Sequence, residues 1–431
     1  MPDEHTDVVI IGAGIAGCAS AYYLSKRGVK VVVVEKGDTG DEQSSRAWGF
    51  VRQQARSSRE LPVMMACNKI WHDLSRELNA DLEWVQGGAL VVANDEETME
   101  KVRNWVEVSR EHELETKLLT EREIKELVPS MEGPWLGGMY TPSDGHAEPR
   151  KVTSAFARAA QENGVVLRTR CAVEGIDVSN GKVTGVITEK GLIKTPVAVC
   201  AAGAWSQKVA RMVGLRLPYR VVRASVLETE PAEHLTKIGV LGPGIAFRQR
   251  PSGSFYVAPG PGGTDYDVDL DTFRDIRLFL PNFRRNRDLF KVHVGMELIK
   301  DVLRSIPGSP ARRHPFSHTV GVEPKPNRKV LDIALRNFRR LFPSLASLGI
   351  QRYWSGRIEA TPDAIPVMGE VDGLQGFIFA TGFSGRGFGM GPITGLLTSE
   401  LIVDGKPSLD IRNMRHSRFR EGDLDKTKAV V

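Results

Sequence analysis

Three glycines and one carboxylate near the start of the chain have the spacing of a dinucleotide site. Gly12, Gly14 and Gly17 form a G-x-G-x-x-G pattern, and Glu35 follows Gly17 by 18 residues. In this pattern the first glycine allows a tight turn, the second lets the backbone approach a pyrophosphate, and the third lets a helix pack closely on a strand. A carboxylate at Glu35 accepts hydrogen bonds from ribose hydroxyls and repels a 2′-phosphate, which disfavours NADP.

The sequence between these residues predicts the elements that position them. Four consecutive β-branched residues, 8–11, predict a buried parallel strand, and residues 31–34 predict a second one. Residues 15–26 have a helical pattern that ends before Gly28. The N-terminus of this helix presents free N–H groups to the phosphates. The adjoining residues that we predict to contact the cofactor are Ile15, Ala16 and Lys36.

Four segments resemble, in matching order, the D-amino acid oxidase-like family of FAD enzymes, which includes glycine oxidases, sarcosine oxidases and hydroxyproline dehydrogenases. The segments are residues 12–17 (GAGIAG), 199–206 (VCAAGAWS), 357–369 (RIEATPDAIPVMG) and 381–395 (TGFSGRGFGMGPITG). The glycine pattern alone leaves NAD and FAD open. The resemblance implies FAD.

The fold that follows is α/β, with a discontinuous Rossmann-like FAD-binding domain of parallel sheet and helices. An inserted α+β substrate domain carries a mixed or antiparallel sheet. We assign residues 1–86, 145–218 and 341–431 to the FAD-binding domain, and residues 87–144 and 219–340 to the substrate-binding domain. Residues 271–305 have helical character, and a late helix is predicted to begin near Pro392.

The late glycines Gly385, Gly387 and Gly389 suit a loop against a flavin ring, because backbone donors can approach it without obstruction from side chains. Donors or a helix N-terminus at this place would stabilise the reduced, anionic flavin. The further cofactor contacts that the resemblance implies are Ser44, Ser45, Arg46, Val173, Ala202, Gly203, Trp205, Gly356, Arg357, Arg386 and Phe388.

Candidate substrate contacts also follow from the resemblance. Arginines near Arg52 and Arg56 lie by the flavin in sarcosine oxidase-like members and help to bind a substrate carboxylate, and of the two we select Arg52. Arg357 is a second candidate, since a guanidinium suits bidentate capture of a carboxylate. Tyr256 is a third, in a layer where the family lines its pocket.

The resemblance therefore predicts FAD-dependent oxidation of the C–N bond of a small amino acid, a secondary or N-substituted amine of the sarcosine, glycine or proline type. Hydride transfer to flavin N5 would give an imine, and oxygen or another acceptor would take the electrons. Orientation of the neutral amine matters most, so we name no catalytic base. Two alternatives remain: a flavin monooxygenase, and a flavin-binding subunit of a multi-subunit amine dehydrogenase.

Composition excludes several other classes. The formal charge of +5 is small for 58 basic and 53 acidic residues, and the basic run at residues 284–287 lacks a nucleic-acid motif, so no nucleic-acid partner is predicted. The four cysteines contain no CxxC pair, and His314 and His318 lack a ligand partner, so we predict no metal. Some sarcosine oxidases hold flavin through a late cysteine, but none follows Cys200, which predicts non-covalent FAD.

Location follows from the same features. No apolar stretch is long enough to span a bilayer, and an acidic leader stands where a signal peptide has a basic region. Together with cysteine usage typical of a reducing compartment, this predicts a cytoplasmic protein with no integral membrane segment. The oligomeric state is left open.

Overall fold

The structure is a computed structural model that describes residues 4–260, 263–287, 290–306, 316 and 322–426. Two sheets dominate the described residues, each with ten strands, and Phe50–Val51 pairs with Gly145–His146 in a small third sheet. The helices are Ile15–Lys26, Gln43–Arg46, Leu61–Glu77, Glu96–Glu111, Glu121–Leu127, Pro149–Glu162, Ser206–Met212, Leu270–Arg274, Ile276–Asn286, Met296–Ser305, Arg328–Leu341, Gly387–Asp404 and Arg418–Glu421.

The first sheet has a parallel centre. Val8–Ile11 lies between Val31–Val34 and Val197–Cys200, and the latter pairs in parallel with Leu374–Thr381. The predicted strand–helix–strand unit is therefore present. The strands of this sheet are Glu4–His5, Val8–Ile11, Val31–Val34, Val166–Arg168, Val173–Ser179, Lys182–Thr188, Gly191–Lys194, Val197–Cys200, Val367–Val371 and Leu374–Thr381.

The second sheet is mixed and mostly antiparallel. Its longest pairing joins Arg220–Thr229 to Ile350–Ala360 over the full length of the former. Residues 350–360, which the domain prediction placed in the FAD-binding piece, are thus part of the second sheet. The domain boundaries stay predictions. The strands of this sheet are Ala89–Ala93, Lys117–Leu119, Gly137–Thr141, Arg220–Thr229, Gly239–Gly242, Ile245–Gln249, Phe255–Ala258, Thr264–Asp267, Phe290–His293 and Ile350–Ala360.

Two predicted helices differ in their limits. The helical character expected for residues 271–305 is interrupted by Phe290–His293, which pairs in parallel with Thr264–Asp267. The late helix begins at Gly387 and contains Pro392. It starts early because it packs closely: a Cβ at Gly391 would lie 2.5 Å from Ile15, so the glycines serve contact between helices as well as the turn.

Within the described residues no helix is long and apolar enough to cross a membrane. His314 and His318 lie outside the described residues, and the rest of the described chain contains no cluster of three His, Cys, Asp or Glu side chains suited to a metal ion.

Candidate active site

A cavity of about 780 Å³ runs between the two sheets, from the first glycines of the chain to the start of the late helix. Its volume is within the range of small-molecule and cofactor sites. It brings together most of the predicted site residues: Gly12, Gly14, Ile15, Ala16, Glu35, Lys36, Ser44, Arg46, Arg52, Val173, Ala202, Gly203, Trp205, Gly356, Arg357, Gly385, Arg386, Gly387 and Phe388.

At one end of the cavity, the nucleotide end, the backbone turns tightly after the first strand. Gly12 has φ +109°, and a Cβ there would lie 2.5 Å from the carbonyl oxygen of Ala201. A Cβ at Gly17 would lie 2.0 Å from the carbonyl oxygen of Gly12, so only glycine lets the helix pack this closely on the turn. Gly17 therefore shapes the site without lining it.

The Glu35 carboxylate fixes the same turn. Its Oε2 accepts from the backbone N–H of Ala13 at 2.9 Å, and Oε1 accepts from that of Gly37 at 2.8 Å. Burial raises the pKa of Glu35, and the two backbone hydrogen bonds oppose this. Ser44 holds the helix start, since its Oγ accepts from the N–H of Ile15 at 2.8 Å.

The late helix Gly387–Asp404 turns its N-terminus to the cavity. Gly385 (φ +84°) leads into it, and its first turn contains no acidic residue to cancel the positive end of the helix dipole. The side chain of Arg386 is already held, because it donates to the carbonyl oxygen of Ala364 at 2.9 Å and forms an ion pair with buried Glu60. The backbone N–H groups of this turn remain for a ligand.

Arg52 and Arg56 form a cationic pair in the cavity wall, in which Arg56 is buried and Arg52 is half-buried. Burial lowers the pKa of Arg52 to about 10 and that of Arg56 to about 9. Arg52 Nη1 is buried and has no hydrogen-bond partner among the described residues. The nearest carboxylate that compensates it, Asp144, accepts from the backbone N–H groups of Gln53 and Gln54 at 2.7 and 3.2 Å.

Arg357 lies elsewhere on the wall and has protein partners. Its Nη1 is 3.5 Å from Glu42 Oε2 and donates to the carbonyl oxygen of Val322 at 3.3 Å. Its guanidinium carbon is 5.3 Å from the ring centre of Trp205. The structure thus places Arg357 at the cavity with partners inside the protein, although Glu42 also pairs with Lys36 and Arg46.

Tyr256 does not reach the cavity. Its hydroxyl donates to Glu148 Oε2 at 3.1 Å and accepts from Arg352 Nη2 at 3.0 Å. All four residues of its strand, Phe255–Ala258, are buried, so both faces of the strand pack inside the protein. Tyr256 thus belongs to a buried charge cluster off the cavity lining, and its contact with the substrate stays a prediction.

Two predicted cofactor contacts also lie off the cavity lining. Ser45 is on the far side of its short helix, where Oγ donates to the carbonyl oxygen of Glu42 at 3.3 Å. Gly389 lies inside the late helix, and its carbonyl oxygen accepts from Trp71 Nε1 at 2.8 Å and Cys67 Sγ at 3.0 Å. Both residues lie in helices, and the glycine and serine patterns alone do not show where these helices begin.

Sequence reasoning missed two parts of the site. Gln43 bridges the sheets: its Oε1 accepts from the N–H of Ala204 at 2.6 Å, and its amide contacts buried Glu359. The helix Ile276–Asn286, here called the wall helix, borders the cavity with one face. Its helical apolar spacing was visible, but the spacing does not tell whether that face meets a sheet or a cavity.

The cavity fits FAD at both ends. At one end, glycines leave space that a Cβ atom would occupy. At the other end lies a helix N-terminus whose first turn has no acidic residue. Between them, Trp205 Nε1 is buried without a hydrogen-bond partner among the described residues, which leaves a donor for a ligand.

Comparison with known proteins gives the same assignment. The chain is 26% identical to mitochondrial sarcosine dehydrogenase of Mus musculus over 98% of its length, but spans only 42% of that relative. It is 25% identical to sarcosine oxidase subunit beta of Rhizobium meliloti, covering 98% of this chain and 90% of the relative. The structure of L-amino acid deaminase from Proteus myxofaciens with anthranilate superposes with a TM-score of 0.89, at 26% identity, over 97% of this chain and 94% of the other.

The profile of the family described as DAO, FAD dependent oxidoreductase, matches residues 7–401. Because that match covers most of the sequence, and the cavity has the shape and donors that FAD needs, this chain belongs to the DAO family of FAD-dependent oxidoreductases.

Proposed function

We propose that this protein oxidises the C–N bond of an amino acid, an amine of the sarcosine, glycine or proline type. Bound FAD would supply the hydride acceptor, and the neutral amine, on losing a hydride from the carbon next to nitrogen, would become a protonated imine that water hydrolyses. Oxygen or another acceptor would take up the two electrons. The chain's part is to bind the neutral amine and aim its C–H bond.

One observation carries this proposal: a buried guanidinium with an unpaired N–H group lines the cavity. An isolated buried cation is costly, and a bound carboxylate both neutralises Arg52 and satisfies Nη1. Arg357 is less suited to this role because its Nη1 already contacts Glu42 and the carbonyl oxygen of Val322. We therefore propose Arg52 as the group that binds the substrate carboxylate, with Arg56 adding to the positive field.

The cofactor contacts that we propose are those that border the cavity. Gly12, Gly14 and the start of the Ile15–Lys26 helix would hold the pyrophosphate, and Glu35 the adenosine ribose. Gly385, Gly387 and Phe388 would offer backbone donors to the flavin. Relatives named for sarcosine, and one structure that holds the aromatic carboxylate anthranilate, support an amine substrate with a carboxylate.

The proposal is tested by anaerobic titration of the FAD-loaded protein with amines that carry a carboxylate, such as N-methylglycine and proline. We expect stoichiometric bleaching of the flavin absorbance. Arg52→Met should raise the apparent substrate dissociation constant about a hundredfold, since a buried charge pair loses one partner, with unchanged flavin content. Arg103→Met, which removes an exposed arginine paired with Glu96, is the control and should behave like wild type.

A second candidate function is a flavin-binding subunit, which the similarity to a sarcosine oxidase β subunit favours. Flavin that is bound tightly but stays oxidised until a partner chain is added would support that candidate. If a broad panel of amino acids leaves the flavin oxidised while NADPH reduces it, the protein is a monooxygenase-type enzyme and the proposed amine oxidation is wrong.

A further inference from the structure

The wall helix and the strand that follows it present an apolar surface to the cavity. The cavity-facing apolar side chains are Ile276, Phe279, Leu280, Phe283, Phe290 and Val292. The polar residues of the wall helix that also face the cavity are Asn282 and Asn286. Their amides are engaged within the protein: Asn282 donates to the carbonyl oxygen of Pro362 at 2.6 Å, and Asn286 donates to that of Asn282 at 3.3 Å.

The wall helix turns its cations away from this surface. Arg277, Arg284 and Arg285 are absent from the cavity lining, and Arg285 Nη1 donates to the carbonyl oxygen of Lys426 at 2.7 Å. The apolar face nevertheless stays open, because Ile276 and Phe283 are 48% and 37% exposed. Apolar side chains left in contact with cavity water favour an apolar occupant.

This apolar face lines the same cavity as Arg52 and Arg56. Asn282 contacts the loop at Pro362, and two residues further along the same loop the carbonyl oxygen of Ala364 accepts from Arg386 at 2.9 Å. Arg386 in turn acts electrostatically on both Arg52 and Arg56. One chamber therefore offers a guanidinium at one side and an apolar helix face at the other.

We propose that the substrate carries, besides its carboxylate and amine, a large apolar group, aromatic or branched aliphatic, that contacts the wall helix. This inference rests on the proposed function and narrows it: sarcosine and glycine would leave the apolar face in contact with water. Leu280 and Phe283 then determine specificity, while Arg52 binds the carboxylate common to all substrates.

Two unreactive carboxylates test the inference without turnover. Phenylacetate and acetate share the carboxylate and differ by a phenyl ring, and binding of each to the FAD-loaded protein is followed by the visible spectrum of the flavin. We expect phenylacetate to bind at least about tenfold more tightly. Phe283→Ala should weaken phenylacetate binding about tenfold and leave acetate binding unchanged, and Leu280→Asn should act in the same direction as a second variant.

The matched control is Phe273→Ala, which removes a 57% exposed phenylalanine of the preceding helix that does not line the cavity. It should change neither affinity. Equal affinities for phenylacetate and acetate in wild type, or equal losses for both in Phe283→Ala, would overturn the inference.

Anaerobic flavin reduction separates this inference from the function on which it rests. Faster or tighter reduction by phenylalanine and leucine, or their N-methyl derivatives, than by sarcosine and glycine supports the apolar class. Preference for sarcosine or glycine overturns that class and leaves amine oxidation standing. Flavin that no amine reduces overturns the proposed function, whatever the carboxylates show.

Discussion

The two ends of the cavity are built in different ways. At the nucleotide end, backbone groups meet partners inside the protein: Glu35 accepts from the N–H groups of Ala13 and Gly37, and Ser44 accepts from that of Ile15. At the substrate end, Arg52 Nη1 is buried without a partner among the described residues, and Phe283 is 37% exposed. The nucleotide end is complete in itself, whereas a ligand must complete the substrate end.

This difference assigns rigidity to the nucleotide end and ligand specificity to the substrate end. A turn held by internal hydrogen bonds and close contacts binds the part of the ligand that is common to a whole family. Unpaired charge and exposed apolar area lower the stability of the ligand-free protein, but they strengthen the binding of one class of ligand. Changes at the nucleotide end should therefore cost folding and cofactor together, and changes at the unpaired or exposed groups of the substrate end should mainly cost ligand binding.

The largest effect is expected at Gly17. Gly17→Ala would place a Cβ 2.0 Å from the carbonyl oxygen of Gly12, and backbone cannot move aside as a flexible side chain can. We expect little soluble protein, and in that fraction a loss of flavin measured as the ratio of visible to ultraviolet absorbance. Gly28→Asn is the control, since Gly28 (φ +76°) has open space around it and asparagine tolerates this conformation. Wild-type flavin content in Gly17→Ala would refute the close-contact argument.

The next effect compares the unfolding free energies of variants at two arginines, Arg386 and Arg52. Arg386→Met leaves Glu60 buried without its ion-pair partner, and breaking a buried pair in this way costs about 3–5 kcal/mol of unfolding free energy. Chemical denaturation of the ligand-free protein measures it. Arg386→Lys should recover part of the loss, which a purely steric role for Arg386 would not predict.

Arg52→Met should cost less unfolding free energy than Arg386→Met in the same measurement, although carboxylate binding is lost. It leaves Asp144 without the charge of Arg52, but Asp144 keeps its hydrogen bonds from Gln53 and Gln54. The substitution also removes a cation that Arg56 and Arg386 repel and whose Nη1 has no hydrogen-bond partner among the described residues. A loss of stability as large as that of Arg386→Met would show that Arg52 is a structural residue.

The sequence predicted the strand–helix–strand unit of the nucleotide end because its pattern is local. Gly12, Gly14, Gly17 and Glu35 lie within one strand–helix–strand unit, whose register follows from its apolar pattern. The identification of FAD needed the resemblance of distant segments, which the family match confirms. The start of the late helix was misplaced because glycines are poor helix formers, and packing against Ile15 overrides that propensity.

The substrate end could be predicted only in part, because distant segments assemble it. Arg52 borders the cavity, but its sequence position does not show that Nη1 lacks a hydrogen-bond partner. That depends on Asp144, 92 residues along the chain, which accepts from the backbone N–H groups of Gln53 and Gln54 instead. The apolar spacing of the wall helix indicates an amphipathic helix and does not say what covers it. The spacing of residues 255–258 does not show that both faces of this strand, which carries Tyr256, are buried.

A smaller effect is expected from pH. The folded-state pKa values of Arg52 and Arg56, about 10 and about 9, lie below the usual 12.5, so burial favours the neutral forms. The stability that their neutral forms contribute is present above the unfolded-state pKa and is lost as pH falls through the folded-state pKa values. At neutral pH both arginines are charged, and their burial lowers the free energy of unfolding. Raising the pH from about 8 to about 11 should therefore weaken phenylacetate binding progressively. In Arg52→Gln the residual binding should be weak and less dependent on pH; an equally steep profile would assign the titration to another group.

The smallest effect is expected at Tyr256, which lies off the cavity lining. Tyr256→Phe removes one hydroxyl from a buried cluster in which Glu148 keeps its contacts with Arg248 and Arg250. A lost hydrogen bond of this kind costs about 1–1.5 kcal/mol of unfolding free energy. Phenylacetate affinity and the rate of flavin reduction should stay within about twofold of wild type, because the hydroxyl is bound to Glu148 and Arg352 and lies off the cavity lining. If Tyr256→Phe left the unfolding free energy unchanged and bound phenylacetate much more weakly, Tyr256 would contact the substrate after all. The buried cluster would then have to open towards the cavity when a ligand is bound.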